Sequence, residues 1–172
     1  ILTSAIEVRA LSAGDAEIYR AFRLFMLAES PTAFGTDLRE AKTLPLAYFR
    51  GRASDEPESF IMGAFSQGNL IGSAGGFREE DLKRQHIAQV VGVFIHPDHR
   101  GAGLSRRLVS SVLERLERLP EIEQINLAVT ADNEPALALY LSFGFEIYGR
   151  EPAALKVEGP NYDELLLSRP CS

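Results

Sequence analysis

The sequence predicts an α+β domain built around one sheet. Three observations carry that prediction. Segments of two-residue apolar alternation and segments of helical apolar spacing follow in the order β α α β β β α β α β β, which is neither strictly alternating nor segregated. The 172 residues are 45% apolar and 24% charged, ordinary for one globular core. No internal repeat or low-complexity linker divides the chain, so residues 1–172 read as a single domain.

The elements follow from local pattern. Ile6, Val8 and Ala10 alternate and predict a strand over Ile6–Leu11. Ser12 and Asp15 have capping-box spacing, and Ile18, Phe22, Phe25 and Met26 follow as one helical face. Ser30-Pro31 ends that helix, because proline pushes its predecessor out of the helical region. A second helical stretch runs over Leu38–Arg52. Phe60–Ser66 and Leu70–Phe77 flank Gln67-Gly68-Asn69, a hairpin signal. After the charged connection Arg78–Arg84, His86–Ile95 is almost continuously apolar, as strands buried on both faces are. A helix over Gly101–Leu119 carries the stripe Leu104, Leu108, Val112, Leu116 and Leu119, and Pro120 closes it. Ile125, Leu127 and Val129 alternate in a strand over Ile125–Thr130. Pro135–Phe143 is a short helix with proline in its first turn and Gly144 as its stop. Phe145–Val157 and Tyr162–Ser168 are final strands joined by Gly159-Pro160-Asn161.

Composition narrows the function. Eighteen basic against twenty-four acidic residues give a net charge of −6. An acidic chain without a basic stripe and interleaved aromatics argues against a nucleic-acid partner. The one small cluster, Arg78, Lys83 and Arg84, is matched by Glu79, Glu80 and Asp81. No apolar run approaches the ~18 residues that span a bilayer, so no membrane partner is expected. Ile1–Arg9 lacks the pattern of a signal peptide. The chain does not begin with Met, which leaves an extension before Ile1 open. The lone Cys171 makes no intrachain disulfide and builds no zinc cage, which fits a reducing, cytoplasmic setting. His86, His96 and His99 lack the spacing of a metal pair, so no metal is expected.

The most informative segment is Ile95-His96-Pro97-Asp98-His99-Arg100-Gly101-Ala102-Gly103-Leu104-Ser105-Arg106. A buried strand ends, and a glycine-bearing loop opens an amphipathic helix. The first helical turn offers unpaired N–H groups and the positive end of the dipole. Arg100 and Arg106 add charge. Such a loop suits a phosphate or pyrophosphate. It is not a P-loop, which ends in Gly-Lys-Ser/Thr, nor a dinucleotide fingerprint, whose third glycine is missing at Arg106. The plainer alternative is a tight turn that needs glycine.

Arg100-Gly101-Ala102-Gly103-Leu104-Ser105 resembles the R-x-x-G-x-G/A motif of the GNAT family of N-acetyltransferases. Ser105 departs from the usual Gly or Ala, but is small. Asn133-Glu134-Pro135-Ala136-Leu137-Ala138-Leu139-Tyr140-Leu141-Ser142-Phe143-Gly144-Phe145 resembles the family's N-x-x-A-x-x-x-Y-x-x-x-G-F segment. The resemblance is strong over Val90–Phe145, and the element order extends it over nearly the whole chain; it implies a mixed, mostly antiparallel sheet with helices on both faces. It implies acetyl-CoA as cosubstrate, with its pyrophosphate on Arg100, Gly101, Ala102, Gly103, Leu104, Ser105 and Arg106. It also implies a pantetheine arm paired with the backbone of Val93, Phe94 and Ile95, where an N–H would polarise the thioester carbonyl. Asn133 would bond the same arm, or simply cap its helix. Tyr140 would be the general acid for the leaving thiolate, although a core tyrosine would look identical.

The general base is less defined. Related ribosomal-protein N-terminal acetyltransferases carry Glu in an L-E-V-R stretch, where this chain has Leu127-Ala128-Val129-Thr130. Glu79, at a strand end, is the preferred candidate. Glu80, Asp81, Glu29, Asp37 and Glu40 are others, and a water chain is a further alternative. The acceptor pocket is expected between the first two helices, their Ser30–Asp37 connection and the Gly159–Tyr162 hairpin, with Phe34 and Tyr162 as walls. The resulting expectation is acetyl transfer to a primary amine of a small molecule or peptide, by direct attack in a ternary complex. A catalytically silent acetyl-CoA sensor and an enzyme using another acyl-CoA are the alternatives. Oligomeric state, a homodimer included, stays open.

Overall fold

In the computed structural model, residues 5–171 are described; the first half of the Ile1–Arg9 stretch and residue 172 lie outside them. Seven strands form one sheet: β1 Glu7–Ala10, β2 Ser59–Ser66, β3 Asn69–Arg78, β4 Ile87–Ile95, β5 Gln124–Thr130, β6 Glu146–Lys156 and β7 Asn161–Pro170. The spatial order is β1-β2-β3-β4-β5-β7-β6, and every neighbour pair is antiparallel except β4 with β5. The helices are α1 Ala16–Glu29, α2 Leu38–Thr43, α3 Leu46–Arg52, α4 Leu104–Glu117 and α5 Glu134–Ser142. This is the α+β arrangement the sequence predicts.

One apolar cluster lies under α4. Leu104, Leu108, Val112 and Leu116 are buried against Ala74, Val90, Ile125 and Leu127 of the sheet. The helix sits unusually close to β3. A Cβ at Gly76 would lie 2.9 Å from Val112 and 3.2 Å from Leu116, so glycine there is a packing requirement. The second cluster lies under α1 and α3 on the opposite face. Tyr19, Phe22, Met26, Leu27 and Phe49 pack on Ile61, Phe65 and Phe94.

Three expectations need correction. The stretch Leu38–Arg52 is two helices, because Leu44 is extended (ψ 135°) and Pro45 stands at the head of α3. The buried face of α1 is centred on Tyr19, Phe22 and Met26, leaving Ile18 half-buried and Phe25 37% exposed. The fourth helix begins at Leu104 rather than Gly101, because Gly101 (φ 83°) and Gly103 (φ 78°) hold left-handed conformations ahead of it. The Ser12–Asp15 box is present: Asp15 accepts from the Ser12 N–H at 2.8 Å. It also accepts both arms of Arg9, at 2.8 and 3.0 Å. Those bonds to Arg9 push the Asp15 carboxyl down to about 2.

β4 carries the feature that shapes the site. Its register with β3 runs Ser73↔Phe94 and Gly75↔Val91, so Gly92 and Val93 together face Ala74. Gly92 takes φ 62°, and the bulge reverses the alternation of the strand. Ala88 and Val90 face α4 before the bulge, and Val93 and Ile95 face it afterwards.

Candidate active site

β4 and β5 pair at three positions, Ile87↔Gln124, Ala88↔Ile125 and Gln89↔Asn126. Beyond Gln89 the strands separate, and a wedge opens toward their carboxyl ends. Along that wedge the β5-facing edge of β4 has no strand partner among the described residues. Val93, Phe94 and Ile95 lie along this stretch, and the Ile95 carbonyl there accepts from Arg100. Phe94 and Ile95 are themselves buried, and Val93 packs against the α4 cluster.

At the mouth of the wedge the chain turns through Pro97–His99. The His96 Nδ1 accepts from the Asp98 N–H at 3.1 Å, and its ring stacks on Phe25 at 4.9 Å. His96 is thus a turn residue. A Cβ on Gly101 or Gly103 would meet nothing within 4 Å, so conformation and not crowding demands glycine at both. No acidic residue occupies the first turn of α4, and no side chain caps it. The N–H groups of Leu104, Ser105 and Arg106 consequently face outward with the helix dipole behind them. An uncapped, acid-free helix start of this kind is compatible with an anion.

The two arginines brace that loop. Arg100 folds back, donating Nε–H to the Ile95 carbonyl at 3.0 Å with its guanidinium 5.3 Å from the Phe94 ring. Arg106 donates to Ser142 Oγ at 2.8 Å and lies 5.0 Å from the Phe143 ring, linking α4 to α5. Asn133 caps α5, its Oδ1 accepting from the Ala136 N–H at 3.4 Å, which leaves its amide hydrogens available. Tyr140 is 7% exposed, with its ring edge on Phe145. Its hydroxyl has no hydrogen bond among the described residues, and burial pushes it well above the ordinary phenol range.

The opposite face of the sheet carries the connection between α1 and α2. Thr130 Oγ1 donates to the Thr32 carbonyl at 2.5 Å and pins that connection to the end of β5. Phe34 and its neighbours border a cavity of about 690 Å³, whose far wall is Ala154–Glu158. Val157 and Glu158, at the turn before Gly159, are in that wall, and Tyr162 is not among the lining residues. The β6–β7 register breaks between Glu151 and Leu155, and the resulting bend brings the preceding segment to the cavity.

Glu79 follows β3 level with Ile87 of the first β4–β5 pair, where its N–H donates to the Ile87 carbonyl at 3.0 Å, and its side chain reaches along the strand to Gln89. Its carboxylate accepts from Gln89 Nε2 at 2.8 Å and Arg84 Nη2 at 3.2 Å. It borders an open cavity of about 960 Å³ that also reaches Arg52. Ala128 is exposed beside the wedge, where it offers no carboxylate. The sequence reading missed Glu164, which lies opposite Thr130 in β7. Burial, with Glu151 nearby, raises its carboxyl above the usual range. It missed Arg23 and Arg52 as well. Their one signal was an arginine four residues from Tyr19 on a helix face that is otherwise apolar. Among the described residues, no group of three His, Cys, Asp or Glu is placed to hold a metal, and no helix is long and apolar enough to cross a membrane.

Comparison with known proteins agrees with this geometry. Residues 18–145 match the Acetyltransferase (GNAT) family. The chain is 38% identical over 82 residues to a mycothiol acetyltransferase of Brachybacterium faecium, covering 48% of this chain and 24% of that protein. It is 34% identical over 119 residues to the N-alpha-acetyltransferase RimI of Mycobacterium tuberculosis, covering 67% and 68%. It is 26% identical over 98 residues to the L-amino acid N-acetyltransferase AaaT of Escherichia coli, covering 57% and 60%. The match thus spans about a quarter of the first of these relatives and about three fifths of the last. Among solved structures, a GNAT acetyltransferase from Streptococcus pneumoniae superposes with TM-score 0.85 at 20% identity, covering 98% of this chain and 100% of that one. The putative acetyltransferase yncA of Salmonella typhimurium, determined with acetyl-CoA, superposes with TM-score 0.80 at 17% identity, covering 98% and 95%. With its splayed β4–β5 wedge, its glycine loop and a family match over most of its length, the chain belongs to the GNAT family of acetyltransferases.

Proposed function

We propose that the protein transfers the acetyl group of acetyl-CoA to a primary amine of a small molecule or peptide, by direct attack in a ternary complex. The observation that carries this reading is the wedge between β4 and β5, open beside an uncapped helix start. The N–H groups of Gly101–Arg106 would hold the pyrophosphate, and the free edge at Val93–Ile95 the pantetheine arm, with Asn133 donating to it. A backbone N–H just past the bulge would polarise the thioester carbonyl. The amine nitrogen attacks the carbonyl carbon, the C–S bond breaks, and Tyr140 protonates the departing sulfur. Burial keeps this hydroxyl protonated at neutral pH, so the proton is there to be given.

The attacking amine loses its proton to a carboxylate, directly or through water. Glu79 remains the first candidate, and Glu164 the second, because it shares with Thr130 the face of the sheet that carries the α1–α2 connection. Cys171 sits beyond β7 with its N–H on the Glu123 carbonyl, at the opposite end of β5 from the wedge. That placement supports direct attack over an acetyl-cysteine intermediate. The proposal includes a cytoplasmic setting, consistent with this single half-buried thiol. The named relatives act on different acceptors, so kinship leaves the acceptor open.

The test is CoA release from acetyl-CoA against amino acids, polyamines, aminoglycosides and peptides with free N-termini, with a control lacking acceptor. Selective turnover supports the reading. Acetyl-CoA binding with no turnover on any amine would replace it with the sensor.

A further inference from the structure

Where β4 bulges, the face of the sheet under α1 and α3 holds a small cavity of about 80 Å³. Tyr19 and Arg23 of α1, Tyr48 and Arg52 of α3, and Ser73 and Gly92 of the sheet border it. Two guanidinium groups meet there without an acid. Arg23 has only weak partners: Thr36 Oγ1 at 3.3 Å, the Met26 sulfur at 3.8 Å and the Phe34 ring at 5.4 Å. The titratable groups that face it are Tyr19, Tyr48 and Arg52, and no carboxylate is among them. Burial, with a smaller push from Arg52, depresses its basicity. Arg52 has no ion pair among the described residues, although it also borders the wider cavity that holds Glu56, Glu58 and Glu79.

Removing the Arg23 charge from water without a counter-charge is costly, and such charges are normally paired; half-buried Arg52 adds a like charge beside it. Here the cost falls beside the bulge: a Cβ on Gly92 would lie 3.8 Å from Arg23 Nη1. The pyrophosphate loop cannot supply the missing anion, since it lies past the carboxyl end of β4. A cavity of this size takes a few waters or one small anion. A planar carboxylate matches the fork of donors that a guanidinium presents.

We propose that Arg23 and Arg52 bind a carboxylate of the acceptor, so that the substrate is a small amine that is also a carboxylic acid, such as an amino acid. The inference rests on the acetyl-transfer reading and names its acceptor class. A carboxylate held at Gly92 puts an amine on the adjacent carbon next to the wedge. Arg23 and Arg52 thereby set specificity.

The experiment compares each proteinogenic amino acid with its primary amide, which keeps the amine and removes the negative charge. Turnover is measured with acetyl-CoA, and equilibrium binding of the same compounds is measured on CoA-saturated protein. The expected result is kcat/KM about 10²-fold higher for the acid than for its amide. That ratio should fall below about fivefold in Arg23→Met and Arg52→Met, with Arg23→Lys intermediate. A merely structural role would lower acid and amide together and keep the ratio; melting curves confirm that each variant is folded. Turnover of both forms within threefold of one another would overturn the inference and leave acetyl transfer standing. Binding of acids, lost in Arg23→Met, with no turnover of any amine would keep the carboxylate site and overturn acetyl transfer. Neither turnover nor binding of any acid would overturn the inference.

Discussion

Replacing Gly103 with Glu tests the anion site through charge, with Gly103→Ala as its matched control. Both variants force an L-residue into φ 78°, at a cost of about 1–2 kcal/mol. Nothing lies within 4 Å of the new Cβ, so no clash is added. For a chain of this length the strain lowers Tm by about 2–4 °C per kcal/mol. The glutamate recovers about 0.3–1 kcal/mol of that from the helix dipole, so its fold is no less stable than that of the alanine variant. Binding separates the two. A carboxylate about 5 Å from a phosphate charge repels it by about 1 kcal/mol in water and about 3 kcal/mol at an effective dielectric of ~20. Gly103→Glu should therefore lose about 5- to 160-fold in acetyl-CoA affinity relative to Gly103→Ala, read by calorimetric titration at low salt. The loss should shrink as salt rises. Affinities within threefold of each other would show that the pyrophosphate does not sit at this helix start.

Other perturbations separate the remaining roles. Tyr140→Phe should lower kcat by about 10²–10⁴-fold with little change in acetyl-CoA affinity. Its Tm should hold, because the hydroxyl gives up no hydrogen bond among the described residues. An unchanged rate across pH would remove Tyr140 from the chemistry. Glu79→Gln and Glu164→Gln should differ in their pH–rate profiles, since loss of the true base abolishes the acidic limb. Because burial raises the Glu164 carboxyl, its ionised form opposes folding. Glu164→Gln should thus stabilise the protein at neutral pH and lose that gain at acidic pH. Asp15→Asn should cost about 1 kcal/mol at pH 7; with Asp15 held down to about 2, the difference should disappear in denaturation curves as pH falls through that value.

The glycine loop and α4 were legible because each rests on local chemistry. A 3.6-residue stripe closed by Pro120 is hard to misread, and two glycines after a buried strand signal positive φ. The break at Pro45 was hidden because Leu38, Ala41 and Phe49 keep helical spacing through it. The bulge in β4 was hidden for a related reason: both faces of the strand are apolar, so a reversed alternation leaves no trace in hydropathy. Tyr140 was singled out through its motif, yet its degree of burial depends on Phe145 and the packing of α5. The acceptor side was the least legible. Arg23 and Arg52 lie on separate helices and gain meaning only when α1 and α3 close over Gly92. Glu164 reads as an ordinary strand residue until β5 is laid beside it.

The three-rung seam between β4 and β5 makes the sheet resemble two leaves bound along a short spine. One leaf is β1 to β4 and the other is β5, β7 and β6, with Thr130–Thr32 and Arg106–Ser142 as the stitches across it. A molecule lying in the wedge supplies amide groups where rungs are missing, and so acts as part of the binding. Solvent exchange of the amides of Val93 and Ile95 should slow when acetyl-CoA is added, as should that of the second leaf as a block. Substrate occupancy and mechanical cohesion of the sheet are then one quantity, read in two ways.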